Sequence, residues 1–149
     1  AGHNLVARRI LPDDVYLVRA LLSGWIADSQ VHAVIITGGT GLLERDSTPE
    51  AVRPLLDKTI EGFGEEFRRL SAAEIGSSTV QSRAMAGMAN HTAIFCLPGS
   101  SVSWTAVTHH AISRGWSCAN PRSQCRGSTK SLDSAPSAEA EDIPIGVKT

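Results

Sequence analysis

Val31-His32-Ala33-Val34-Ile35-Ile36-Thr37-Gly38-Gly39-Thr40-Gly41 joins an apolar run to a glycine-rich loop, and that junction defines the fold class. Apart from His32, the first six residues are apolar and rich in β-branched side chains. They predict a strand buried on both faces, as in a parallel sheet. The strand runs straight into glycine and threonine. Glycines let backbone N–H groups approach an anion closely, threonine hydroxyls add donors, and a following helix N-terminus reinforces phosphate binding. A plain strand-to-helix turn uses the same residues, so the pentapeptide alone leaves both readings open. Two familiar phosphate loops are excluded: no lysine follows Gly41, and Glu44 stands where a dinucleotide loop needs its third glycine.

Asp46 lies five residues past the loop. A carboxylate beside bound phosphate is destabilised unless a cation intervenes, so Asp46 is read as a candidate Mg²⁺ ligand, with a helix-start role as the plainer alternative. Ser47-Thr48-Pro49 announces a helix, and Ser47-x-x-Glu50 has the capping-box pattern, the role favoured for Glu50. This helix is predicted to carry Val52, Leu55, Leu56 and Ile60 on one side. Glu61-Gly62-Phe63-Gly64 is predicted to interrupt it before a further helical stretch over 65–70.

Upstream, Leu5-Val6-Ala7 and Ile10 predict an early or edge strand, ended by Leu11-Pro12. Asp13-Asp14 predicts a helix cap. Val15, Val18, Leu21, Leu22, Trp25 and Ile26 then recur at helical spacing until Asp28-Ser29-Gln30. Downstream, 77–89 is predicted helical, built of small residues with Val80, Met85 and Met88. Thr92–Leu97 predicts a second buried strand, closed by Pro98-Gly99-Ser100. This alternation argues for an α/β sheet with helices on its faces. Ligands bind such sheets at the loops after the carboxyl ends of strands, where 37–41 and 98–100 fall.

Composition sets limits on the partners. The chain has 149 residues, 42% hydrophobic and 19% charged, with a net charge of -1. This suits a domain with a real core and argues against a nucleic-acid partner or a polybasic membrane surface. No apolar run approaches the roughly 20 residues of a membrane helix. Ala1-Gly2-His3-Asn4 lacks a signal-peptide pattern, and Cys96, Cys118 and Cys125 make no disulfide framework, so a cytoplasmic location is expected. Lacking an initiator Met, the chain is read as a fragment or processed form. Residues 101–121 form a divergent segment with a short helix expected over 104–112. The polar stretch 122–149, rich in Ser, Pro, Ala and Glu, is read as a disordered tail. His109-His110 and Cys118 with Cys125 are poorly spaced for a metal.

Thr37-Gly-Gly-Thr-Gly-Leu-Leu-Glu-Arg-Asp-Ser-Thr-Pro-Glu-Ala51 resembles the signature segment of the MoaB/Mog family of molybdopterin-binding domains, used in molybdenum cofactor biosynthesis. Further similarity lies in Glu61-Gly-Phe-Gly-Glu65, Phe67-Arg68, Leu70-Ser71, Glu74-Ile75-Gly76, Gln81-Ser82-Arg83-Ala84, Ala86-Gly87 and Leu97-Pro-Gly-Ser100. The resemblance covers residues 1–100 and implies a three-layer α/β/α domain with a mostly parallel sheet. It implies that Gly38, Gly39, Thr40 and Gly41 hold molybdopterin or nucleotide phosphate, and that Asp46 is the catalytic acidic residue tied to Mg²⁺ and nucleotide. Ser82 and Arg83 match a segment near the pterin, and Pro98, Gly99 and Ser100 match a second lining loop. The implied reaction is adenylylation of the molybdopterin phosphate by Mg·ATP with release of pyrophosphate, in a homotrimer or hexamer.

Against the family pattern, the chain is read as lacking an N-terminal strand and helix whose loop contributes to the same pocket. After Ser100 it departs as a reading-frame change would make it. The alternative to the transferase is therefore a non-catalytic molybdopterin-binding member or an inactive fragment. A third relative, the domain of competence-damage-type proteins, is disfavoured by Leu42-Leu43-Glu44-Arg45-Asp46.

Overall fold

The run ahead of the glycine loop forms β2 (Ala33–Thr37), following β1 (Leu5–Arg9) and α1 (Val15–Ala27). The computed structural model describes residues 5–99 and 145–148. The elements that follow are α2 (Thr48–Val52), β3 (Lys58–Thr59), α3 (Glu61–Ile75), β4 (Met85–Ala89), β5 (Thr92–Leu97) and β6 (Ile145–Lys148). They form a six-stranded sheet in the order β1-β6-β2-β5-β4-β3. The pairs β1/β6, β6/β2 and β2/β5 are parallel, and β5/β4 and β4/β3 are antiparallel.

Side chains alternate between the faces of a strand, and β2 shows the consequence. Val34 and Ile36 pack with Val18 and Leu22 of α1 and with Ala51 and Val52 of α2. Ala33 and Ile35 turn the other way, towards Phe63 and Phe67 of α3. β5 divides likewise, with Ile94 and Cys96 on the first face and Ala93, Phe95 and Leu97 on the second. The fold is three-layered, α1 and α2 on one side and α3 on the other. β5 is buried throughout and β2 up to Ile36, which is why they read as continuous apolar runs.

Local chemistry sets the boundaries. Asp14 caps α1, its Oδ1 accepting from the N–H groups of Tyr16 at 2.8 Å and Leu17 at 2.9 Å. Asn90 and His91, with φ of 44° and 69°, turn β4 back into β5 as a two-residue hairpin. Arg19 of α1 donates to the carbonyls of Glu50 (3.0 Å) and Ala51 (3.2 Å), tying α2 to its neighbour.

Three sequence expectations need correction. The stretch 77–89 is not a helix. It is a 3-10 segment (Gly76–Gln81) followed by β4, a strand of small residues. They are small because the strand is sandwiched: a Cβ on Gly87 would lie 2.5 Å from Leu56 Cδ1 and 2.6 Å from the Lys58 carbonyl oxygen. The helix at Pro49 ends at Val52 in a 3-10 turn, and Glu61-Gly62-Phe63-Gly64 opens α3 rather than interrupting a helix. Ile145–Lys148, within a stretch whose composition predicts no element, pairs with both β1 and β2. The short helix over 104–112, His109, His110, Cys118, Cys125 and Ser100 lie outside the described residues. No helix among the described residues is long and apolar enough to cross a membrane.

Candidate functional site

The glycine loop leaves the carboxyl end of β2 beside the parallel strand β5, at the edge where α/β sheets hold ligands. Gly38 and Gly39 have φ of +95° and +63°, a conformation other residues adopt only with strain. Gly39 is also crowded. A Cβ there would collide with Thr48 Oγ1 and lie 2.9 Å from Asp13 Oδ1. The Gly38 N–H donates to the Leu97 carbonyl at 3.0 Å, and the Thr48 N–H donates to the Gly39 carbonyl at 2.9 Å. Among the described residues, the N–H groups of Gly39, Thr40 and Gly41 donate to no carbonyl or side chain. Consecutive N–H groups in such a turn form a concave anion-binding surface. With only five residues, α2 adds little helix dipole, so the loop itself supplies the donors.

The second predicted loop meets the first. Thr37 Oγ1 donates to the Pro98 carbonyl at 3.3 Å, and a Cβ on Gly99 would touch Gly38 Cα at 3.4 Å. Pro98 and Gly99 thus adjoin the glycine loop.

Asp46 closes the far end of that loop. Its Oδ2 accepts from the Leu43 N–H at 3.0 Å, while its own N–H donates to the Leu43 carbonyl at 2.9 Å. The carboxylate packs against Gly41 and is partly buried. Among the described residues, no three His, Cys, Asp or Glu side chains gather as a metal cage.

Glu50 is not a capping residue. Ser47 makes no side-chain cap bond to α2, and Glu50 instead pairs with Arg83. Arg83 also donates from Nε to the Thr40 carbonyl at 3.2 Å and from Nη2 to the Asp46 carbonyl. Ser82 occupies the turn into β4, its carbonyl accepting from Arg68 at 3.3 Å and its Oγ from the Ala84 N–H at 3.4 Å. Arg83 further lines a cavity of about 430 Å³ together with Arg53, Arg68, Ile60, Glu61 and Met85. Sequence reasoning missed Asp13 and Thr48. Both were taken up by helix-start signals, and only the fold brings them onto Gly39.

An α/β domain with a glycine loop of open N–H groups at the carboxyl edge of its central strands is the class these features define. Residues 1–114 match the family model described as a probable molybdopterin binding domain. The chain belongs to that family. It is similar to molybdenum cofactor biosynthesis protein B of Escherichia coli (strain K12), with 57% identity over 67% of this chain and 59% of that protein. A crystal structure of a molybdenum cofactor biosynthesis protein B superposes with a TM-score of 0.68 at 38% identity, covering 72% of this chain and 68% of the other. The tungsten cofactor synthesizing protein MoaB from Pyrococcus furiosus gives a TM-score of 0.66 at 36% identity, over 75% and 73% of the two chains. The chain spans about three fifths of the length of the curated relatives it matches.

Proposed function

We propose that this chain binds molybdopterin through the phosphate and adenylylates that phosphate with Mg·ATP. The observation that carries this reading is the row of N–H groups at Gly39, Thr40 and Gly41, unpaired among the described residues, beside the Asp46 carboxylate. An oxygen of the molybdopterin phosphate attacks the α-phosphorus of ATP. As that P–O bond forms, the bond from the α-phosphorus to the bridging oxygen breaks, and pyrophosphate leaves with the electron pair. No covalent intermediate on the protein is needed. The loop's task is to orient the attacking phosphate and offset its charge with preorganised N–H donors.

A single carboxylate suits Mg²⁺, which is usually held by one or two carboxylates plus substrate phosphates rather than by an all-protein cage. Asp46 would hold the ion, which when bound neutralises charge on the phosphates. The remaining contacts come from the second loop at Pro98, Gly99 and Ser100 and from the turn at Ser82. A homotrimer or hexamer belongs to the same proposal.

Pyrophosphate release, measured on the full chain with molybdopterin and Mg·ATP, tests the reading. Asp46→Ala is expected to lower turnover by roughly 100-fold, the scale of losing one charge-stabilising group. Unchanged turnover in Asp46→Ala would refute its role. Molybdopterin binding without pyrophosphate release would identify a non-catalytic binder.

A further inference from the structure

Arg83 reaches from the turn ahead of β4 to three separate acceptors: the Thr40 carbonyl, the Asp46 carbonyl and the Glu50 carboxylate. We infer that Arg83 is a positioning residue, shaping the phosphate-binding loop through its carbonyls rather than contacting the ligand. The inference rests on the function proposed above, in which that loop holds phosphate.

In a trans peptide the N–H points opposite to the preceding carbonyl, and no cis bond occurs among the described residues. A donor that fixes the Thr40 carbonyl therefore fixes the direction of the Gly41 N–H. The Thr48 N–H does the same for the next N–H back, through the Gly39 carbonyl. The bond to the Asp46 carbonyl pins the other end of the loop. One planar guanidinium spans the Thr40 and Asp46 carbonyls and the Glu50 carboxylate, which a compact ammonium could not. Glu50 neutralises Arg83 locally and is itself presented by α2, whose carbonyls Arg19 holds from α1. The line from Arg19 through Glu50 to Arg83 thus couples the helical layer to the orientation of the N–H donors.

Hydrogen exchange on the full chain tests this without any ligand, in Arg83→Gln, Glu50→Gln, the double variant and Arg83→Lys. In Arg83→Gln the hydrogen-bonded amides of Leu43, Asp46 and Thr48 are expected to exchange about tenfold faster, the scale of one lost hydrogen bond. Val34 and Ile94 in the central strands should keep their protection. Glu50→Gln should move the loop amides in the same direction, the double variant should be no faster than Arg83→Gln, and Arg83→Lys should not restore them. Molybdopterin affinity should fall in parallel, Glu50→Gln included. Unchanged loop exchange in Arg83→Gln overturns the inference. So does a fall in affinity with loop protection intact, which makes Arg83 a ligand contact. Should Arg83→Gln unfold, Glu50→Gln decides, since it alters only a side chain 54% exposed. If the unaltered chain binds no molybdopterin, the proposed function fails, while exchange still settles the role of Arg83.

Discussion

Asp46 Oδ2 occupies the space that a side chain on residue 41 would need: a Cβ at Gly41 would stand 2.5 Å from that oxygen and 3.0 Å from Asp46 Cγ. The same oxygen accepts the Leu43 N–H at 3.0 Å, so loop and carboxylate hold each other in place. Gly41→Ala is therefore expected to displace the carboxylate rather than the fold, because the contact is with the end of a side chain. Molybdopterin affinity should fall by about tenfold, the scale of one charge-assisted hydrogen bond. The melting temperature should move little. A titration paired with a thermal melt checks both, and an unchanged affinity counts against the coupling.

Asp13 and Asp14 are neighbours with different tasks. Asp14 satisfies two N–H groups at the start of α1, so Asp14→Ala should cost about 1 kcal/mol in urea unfolding. The Asp13 carboxylate instead abuts Gly39. Asp13→Ala should weaken molybdopterin binding more than it weakens the fold. The reverse pattern would mean that the two roles have been exchanged.

Two glycines should respond oppositely to alanine. At Gly87 a Cβ meets Leu56 and the backbone carbonyl of Lys58, which cannot move without separating β3 from β4. Gly87→Ala should destabilise by about 1–3 kcal/mol. At Gly24, within α1, nothing lies within 4 Å of an added Cβ. Gly24→Ala should stabilise by roughly 0.5–1 kcal/mol through helix propensity and chain entropy. Chemical denaturation of the two variants side by side tests the packing of β4 directly.

Legibility in the sequence followed the physical origin of each feature. β2 and β5 were readable because strands buried on both faces must be apolar throughout, and Asp14 because an N-cap is a local bond. β4 was not readable. Its Ala, Gly and Met residues carry no β-branched signal, and the spacing of Val80, Met85 and Met88 imitates a helix, while the reason for smallness lies in Leu56, remote in sequence. The loop announced itself through its glycines, which Gly38 and Gly39 need for their positive φ. Arg83 could be placed near the site only by resemblance, because its acceptors at 40, 46 and 50 become neighbours through the sheet. Glu50 was misassigned for the same reason: a capping box is judged over four residues, whereas its partner lies 33 positions away.

The central claim is that the Gly39, Thr40 and Gly41 N–H groups hold the phosphate of molybdopterin, and calorimetric titration with molybdopterin and its dephosphorylated form tests it most directly. The account predicts that removing the phosphate weakens binding by at least about 100-fold, the loss of two or more charge-assisted hydrogen bonds. Equal affinity for the two compounds would contradict it.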